Sequence, residues 1–284
     1  MTADTGLQQA FGCINSGLSL PVFFNQKVLF LRLEDLMLLS LGGLRRIWHD
    51  ELPEGSFCKL ATITVGDCEN LCNIFPSNLI ERFQSLKMIE VVRCASLKAL
   101  MEHVAVKTKK MQQHLVFSDL KELKLWHLPR LNAVVTSSTK LTLGLPSLTN
   151  VSLHCCPNLR CLFTNGTART LDKLEILDVS DCNNMREIVA VEDGEERKLK
   201  VVKFSHLRTV KLCSLKSLIT FSSESCAYEF PSLKYLSILE CTELKAFMLR
   251  PSVPSLEMSN EAATGFDDAP YSLFDDKVFL FPFS

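Results

Sequence analysis

Along most of this chain apolar residues recur on one fixed stencil, clearest from Leu148 to Phe163 (LTNVSLHCCPNLRCLF). Its skeleton is Leu148, Val151, Leu153, Cys156, Leu159 and Leu162, or L-x-x-L-x-L-x-x-C-x-x-L-x-x-L. Eight copies start at Leu33, Leu60, Leu86, Leu120, Leu148, Leu174, Leu207 and Leu233, with spacings of 26 to 34 residues. Apolar residues two apart define a short strand with one face buried, and the later anchors, three apart, suit a helical or 3₁₀ turn. Repetition at this period, around an L-x-x-L-x-L-x-x-N/C core, is the signature of a leucine-rich repeat solenoid. The predicted fold is therefore α/β: a curved horseshoe with a parallel β-sheet on its concave face and short helical, 3₁₀ or irregular segments on its convex face. One coil cannot bury its own apolar face, so neighbouring coils must cover it.

A longer period overlies the first. The ninth skeleton position reads Leu41, Cys68, Cys94, Leu128, Cys156, Cys182, Leu215, Cys241, and the Leu-type coils start at 33, 120 and 207, 87 residues apart. Three coils thus form a unit repeated in tandem. The pattern divides the chain into an irregular segment 1–27, a solenoid 28–249, and a stretch 250–284 that reads as a Pro-, Ser- and acid-rich linker leading into a further repeat. Phe274-Asp275-Asp276-Lys277-Val278 echoes Phe24-Asn25-Gln26-Lys27-Val28, and Phe281-Pro282 echoes Phe230-Pro231 and Leu145-Pro146, which precede strands. A truncated array, or a segment of a longer one, is expected. Polar insertions, Lys107–Gln113 and Glu192–Lys200, are expected as loops on one rim.

Composition narrows the possible partners. A net charge of −1 over 284 residues offers no electrostatic footprint for nucleic acid or an anionic membrane. The first ten residues contain Asp4 and no basic residue, and no secretory core follows, so a cytoplasmic location is expected. Twelve cysteines are too few for a disulfide scaffold. Those at the ninth position should point inward as free thiols, with stacked neighbours such as Cys156 and Cys182 within disulfide range.

No chemistry-bearing motif stands out. The sequence contains no G-x-G-x-x-G, no Gly-Lys pair, no H-E-x-x-H and no G-x-S-x-G. The tightest metal-like group, His154, Cys155, Cys156 and Cys161, mixes inward and outward side chains of one strand and turn, which cannot share an ion. No enzyme activity, cofactor, metal or small-molecule substrate is expected.

The outward strand positions remain. They line up in columns, because parallel strands lie ~4.8 Å apart. One column reads Met37, Thr64, Glu90, Lys124, Ser152, Asp178, Lys211, Ser237, placing Glu90 beside Lys124 and Asp178 beside Lys211. Mixed charge with exposed aromatics suits a protein partner. Lys124, Trp126, His127, Lys211 and Tyr235 are the candidate contact residues on this concave face.

Ile47-Trp48-His49-Asp50, Asn73-Ile74-Phe75-Pro76-Ser77, Phe230-Pro231-Ser232-Leu233 and the C-x-x-L coils resemble the leucine-rich repeat region of plant intracellular NB-LRR disease resistance proteins of the coiled-coil class. The resemblance implies sensing of a pathogen effector or guarded host protein, and restraint of a nucleotide-switch domain. The chain has no P-loop, so only the sensing surface carries over. A substrate-receptor subunit of a ubiquitin ligase is the alternative of a different class, though residues 1–27 are too short and Gly-rich for an F-box-like segment; a non-functional truncation is a third.

Overall fold

The computed structural model describes residues 22–102, 114–135, 142–190, 201–222 and 227–248. Within them the eight stencil copies become eight strands: Asp35–Leu39, Thr62–Gly66, Met88–Val92, Glu122–Trp126, Asn150–His154, Ile176–Ser180, Thr209–Cys213 and Tyr235–Leu239. They form one all-parallel sheet in chain order. Each strand begins two residues after its coil's leading leucine. The register has no offset, with Asn150 opposite Glu122 on one side and Ile176 on the other. Identical spacing of the buried positions explains this: a slip by one residue would turn every inward leucine to the surface. Within the inner strands the two buried stencil positions, such as Leu123 and Leu125 or Val151 and Leu153, alternate with half-exposed ones.

Two backbone devices recur at every step. Where a strand begins, one carbonyl accepts two successive N–H groups of the next coil; Lys121 O takes those of Thr149 and Asn150, both at 2.9 Å. Where it ends, the eighth stencil residue is left-handed in all eight coils: Ser40, Asp67, Arg93, His127, Cys155, Asp181, Ser214 and Glu240, with φ between 50° and 56°. None is glycine, so each coil holds a conformation that L-residues enter at a cost of about 1 kcal/mol or more. The gain is one further ladder bond, such as the His127 N–H to His154 O at 2.9 Å.

The ninth residue then turns inward. Cys68, Cys94, Cys156 and Cys182 are fully buried. Their Sγ–H groups donate to the carbonyl two residues back, as Cys182 to Ser180 O at 3.2 Å and Cys68 to Gly66 O at 3.3 Å. All ten cysteines among the described residues are free thiols. Burial pushes the Cys94 thiol up to about 11, and the neighbouring Cys182, together with burial, holds Cys156 above the ordinary thiol range.

The back of the stack carries more strand than the stencil implies. A 3₁₀ stretch, Ser77–Phe83, and one α-turn, Asn165–Ala168, are joined there by short parallel strands. Ala99–Glu102 pairs with Phe75–Pro76 and Ala133–Val135, and Glu187–Ala190 pairs with Phe163–Thr164 and Thr220–Ser222. These two sets, with their helical turns, are successive versions of the three-coil unit. Val22–Phe24, within the segment read as irregular, is a strand paired with Arg46–Trp48. The insertion Lys107–Gln113, residues 192–200 and the stretch 250–284 lie outside the described residues.

The core is continuous along the stack. Trp48 is buried among Phe24, Phe57 and Phe83, and its Nε1–H donates to Ile74 O at 2.8 Å. A second aromatic group, Phe204, Phe221, Tyr228, Phe230 and Phe247, fills the interior near the last coils. Leu233, Leu236, Ile238 and Leu244 of the last coil are only partly buried, because among the described residues coils stack on them from one side.

Candidate functional site

Zero-offset register turns the outward strand positions into three straight columns of eight. The third stencil position runs Asp35, Thr62, Met88, Glu122, Asn150, Ile176, Thr209, Tyr235; the fifth runs Met37, Thr64, Glu90, Lys124, Ser152, Asp178, Lys211, Ser237; the seventh runs Leu39, Gly66, Val92, Trp126, His154, Ser180, Cys213, Leu239. The surface is one sheet face, and its shape follows from which side chain stands at each crossing.

Trp126 is the anchor of the middle, and it is half-buried. Its Nε1–H donates to Ser152 Oγ at 3.1 Å, and its ring meets His154 edge-on with centroids 5.8 Å apart. His154 Nδ1 in turn hydrogen-bonds Ser180 Oγ. Trp126 thus touches both Ser152 and His154 of the next strand, and His154 continues to Ser180, so this relay spans three strands and holds the indole in place. The sequence pointed to Trp126 but not to its partners; their signal was there, since all four stand at the fifth or seventh position of successive coils.

Lys211 meets Asp178 across strands, as the column predicts, at 3.6 Å. Lys124 does not turn to its cross-strand neighbour Glu90. Its ammonium pairs with Glu122, two residues back on its own strand, at 2.8 Å. Residues i and i+2 of a strand share a face, and here the long lysine side chain spans the ~6.7 Å step along its own strand rather than the ~4.8 Å step across to Glu90. Tyr235 is 52% exposed on the last strand, away from the Trp126 relay.

His127 is the misplaced candidate. It was expected on the concave face, but it follows the strand, in the left-handed turn, and its exposed side chain stands on the rim. Alternation from Trp126 would turn the next residue inward; the left-handed turn brings His127 out on the rim instead. The rim column includes one strong contact: Arg93 grips Asp67 through two hydrogen bonds, 2.7 and 2.8 Å, and holds that carboxyl below its usual range.

Among the described residues no three His, Cys, Asp or Glu side chains converge as a metal site would require. No helix among them is long and apolar enough to cross a membrane.

Comparison with known proteins agrees with this architecture. A putative disease resistance protein of Arabidopsis thaliana is 28% identical over 172 residues, which are 60% of this chain and 12% of that protein. The chain therefore spans only a small part of the length of the relative that it matches. No solved structure matches the chain. The family model described as plant disease resistance protein RPS2-like, leucine-rich repeats, matches residues 32–183 and 166–253. With that coverage, far more than half of its length, the chain belongs to the leucine-rich repeat family of RPS2-like plant disease resistance proteins.

Proposed function

We propose that this chain is a non-catalytic recognition module of plant defence that binds a protein, a pathogen effector or a host target under surveillance, through the exposed face of its long sheet. The location that goes with this role is cytoplasmic. The observation that carries the reading is the Trp126 relay between the Lys124–Glu122 and Asp178–Lys211 pairs. An aromatic side chain held rigid on an open face loses little entropy when a partner covers it, which is the character of an interface hot spot. Lys124, Trp126, Lys211 and Tyr235 are the proposed contacts on the face, with His127 beside them on the rim.

The test is quantitative capture from infected and healthy leaf extract with three forms of the chain. Wild type is compared with a face variant (Lys124→Glu, Trp126→Ala, Lys211→Glu) and a back variant (Lys203→Glu). Lys203 stands outside the long sheet, on the strand Val201–Lys203 that pairs with Ala227–Glu229, 3.6 Å from Glu229. A partner retained by wild type and the back variant, and lost by the face variant, is the expected result. Equal retention by all three overturns the reading.

A further inference from the structure

Resting on the recognition reading above, we propose that the first three strands of the long sheet form a trough that takes an extended partner segment of the pattern apolar–x–Lys/Arg–x–Lys/Arg. The middle strand of these three presents Thr62, Thr64 and Gly66, all small. The strands on either side present Asp35, Met37 and Leu39, and Met88, Glu90 and Val92. A floor of small residues between walls of longer ones is a groove along the strand direction. The walls are two strand spacings apart, ~10 Å, about the room one extended chain occupies.

Apolar surface on this part of the face is unusually open. Met37 is 66% exposed and Leu39 is 47% exposed. Leu39 leans over Gly66 and covers it: a Cβ there would lie 2.8 Å from its Cδ2, so a larger residue would push the leucine aside. With Val92 opposite, the seventh-position end of the trough is an apolar seat. The other two levels are acidic: Glu90 at the fifth position and Asp35 at the third.

Charge decides what the segment must carry. Six charged residues stand in the three columns, and four of them neutralise each other, Lys124 with Glu122 and Lys211 with Asp178. The two left over are Asp35 and Glu90, both in the trough walls. Among the described residues neither forms an ion pair, and Lys87 and Lys121, the rim lysines that precede the third and fourth strands, do not reach them. Side chains two apart on an extended segment fall on one face ~6.7 Å apart, the same step that separates the seventh, fifth and third levels of the trough. An apolar residue seated on Leu39 and Val92 therefore puts the next same-face residue beside Glu90 and the one after beside Asp35. Cations there complement both carboxylates.

The experiment uses the whole chain and two fluorescein-labelled peptides read by anisotropy: Ser-Leu-Ser-Lys-Ser-Lys-Ser, and the same peptide with Glu for Lys. The basic peptide should bind the wild type, and the acidic one should bind at least about tenfold more weakly. Glu90→Gln should weaken the basic peptide about fivefold, a size in keeping with one partly exposed charge pair. Thr64→Phe, which fills the trough floor with an outward side chain, should abolish binding, while Asp178→Asn, an acid of the same face already paired with Lys211, should leave it within about twofold. No binding at ~1 mM, equal binding of the two peptides, or equal effects of Glu90→Gln and Asp178→Asn overturns the proposal. If Trp126→Ala weakens binding and Glu90→Gln does not, the trough assignment falls while the face still recognises. If only the back variant Lys203→Glu matters, the recognition reading falls with it.

Discussion

Leu177 and Leu236 stand at the same stencil position two coils apart, and truncating each to alanine separates the chemistry of the residue from its place in the stack. Leu177 is 1% exposed and has a neighbouring strand on both sides, with Val151 and Val210 as register partners. Leu236 is partly buried, with one register partner among the described residues, Val210. Removing the Leu177 side chain forfeits ~2 kcal/mol of transfer free energy, and the cavity between two well-packed coils raises the cost to ~3–4 kcal/mol. At Leu236 part of the transfer term is already absent and the site opens to solvent, so the cost is ~1–1.5 kcal/mol. The difference, ~2 kcal/mol, is more than tenfold in the folding equilibrium. Urea unfolding followed by far-ultraviolet circular dichroism reads it as two separated midpoints, provided the slope is unchanged. A lower slope in Leu177→Ala alone would mean that the weakened coil splits the stack into blocks that melt separately, as nearest-neighbour coupling allows. Equal midpoint shifts in the two variants, at equal slopes, would refute the claim that stacking from both sides stabilises the inner coils.

Three further outcomes are expected. His127→Gly relieves a left-handed φ of 54° and should change stability by no more than ~1 kcal/mol, because glycine also loosens the unfolded chain; His127→Val should lose ~1–2 kcal/mol by urea unfolding, and a neutral valine would refute the strain. The Cys94 thiol, raised by burial from 9.0 to about 11, favours the protonated form in the folded state. Its contribution is fully present below pH 9.0 and is lost as pH rises through about 11, so the urea midpoint should hold to pH ~8.5 and then fall, with a shallower fall in Cys94→Ala; identical profiles would count against it. Asp178→Asn breaks a 3.6 Å pair on the surface and should shift stability by less than ~1 kcal/mol by the same method; a larger loss would make the face pairs structural and weaken their assignment to recognition.

Much of the architecture was legible because the stencil repeats. A residue type recurring at fixed positions forces like positions into register, and Leu153 can be placed inside and Ser152 outside from the alternation alone. The fate of individual side chains on the face was harder to read. Lys124 had two carboxylates in range of its column, Glu90 and Glu122, and a list of positions does not say which one a flexible ammonium reaches. His127 stands on the rim and not on the face because every coil turns left-handed at this position, with no glycine to announce the turn. The back strands were missed for a different reason: their short runs, such as Ala133–Val135, gain strand geometry only by pairing with the same segment of adjacent coils.

What the amino-acid order determined by itself was the coil, its count and its inside and outside. Those depend on apolar spacing, which is local and is repeated often enough to overrule any single departure. What only the tertiary structure decided was the working surface: the Trp126–Ser152–His154–Ser180 relay and the packing of Leu39 on Gly66 beside the trough. Each joins residues about 26 positions or more apart that come into contact only after parallel strands align without offset. Their hydrogen bonds, pairings and clearances are set by a few ångströms of cross-strand distance, a quantity that no period along the chain contains.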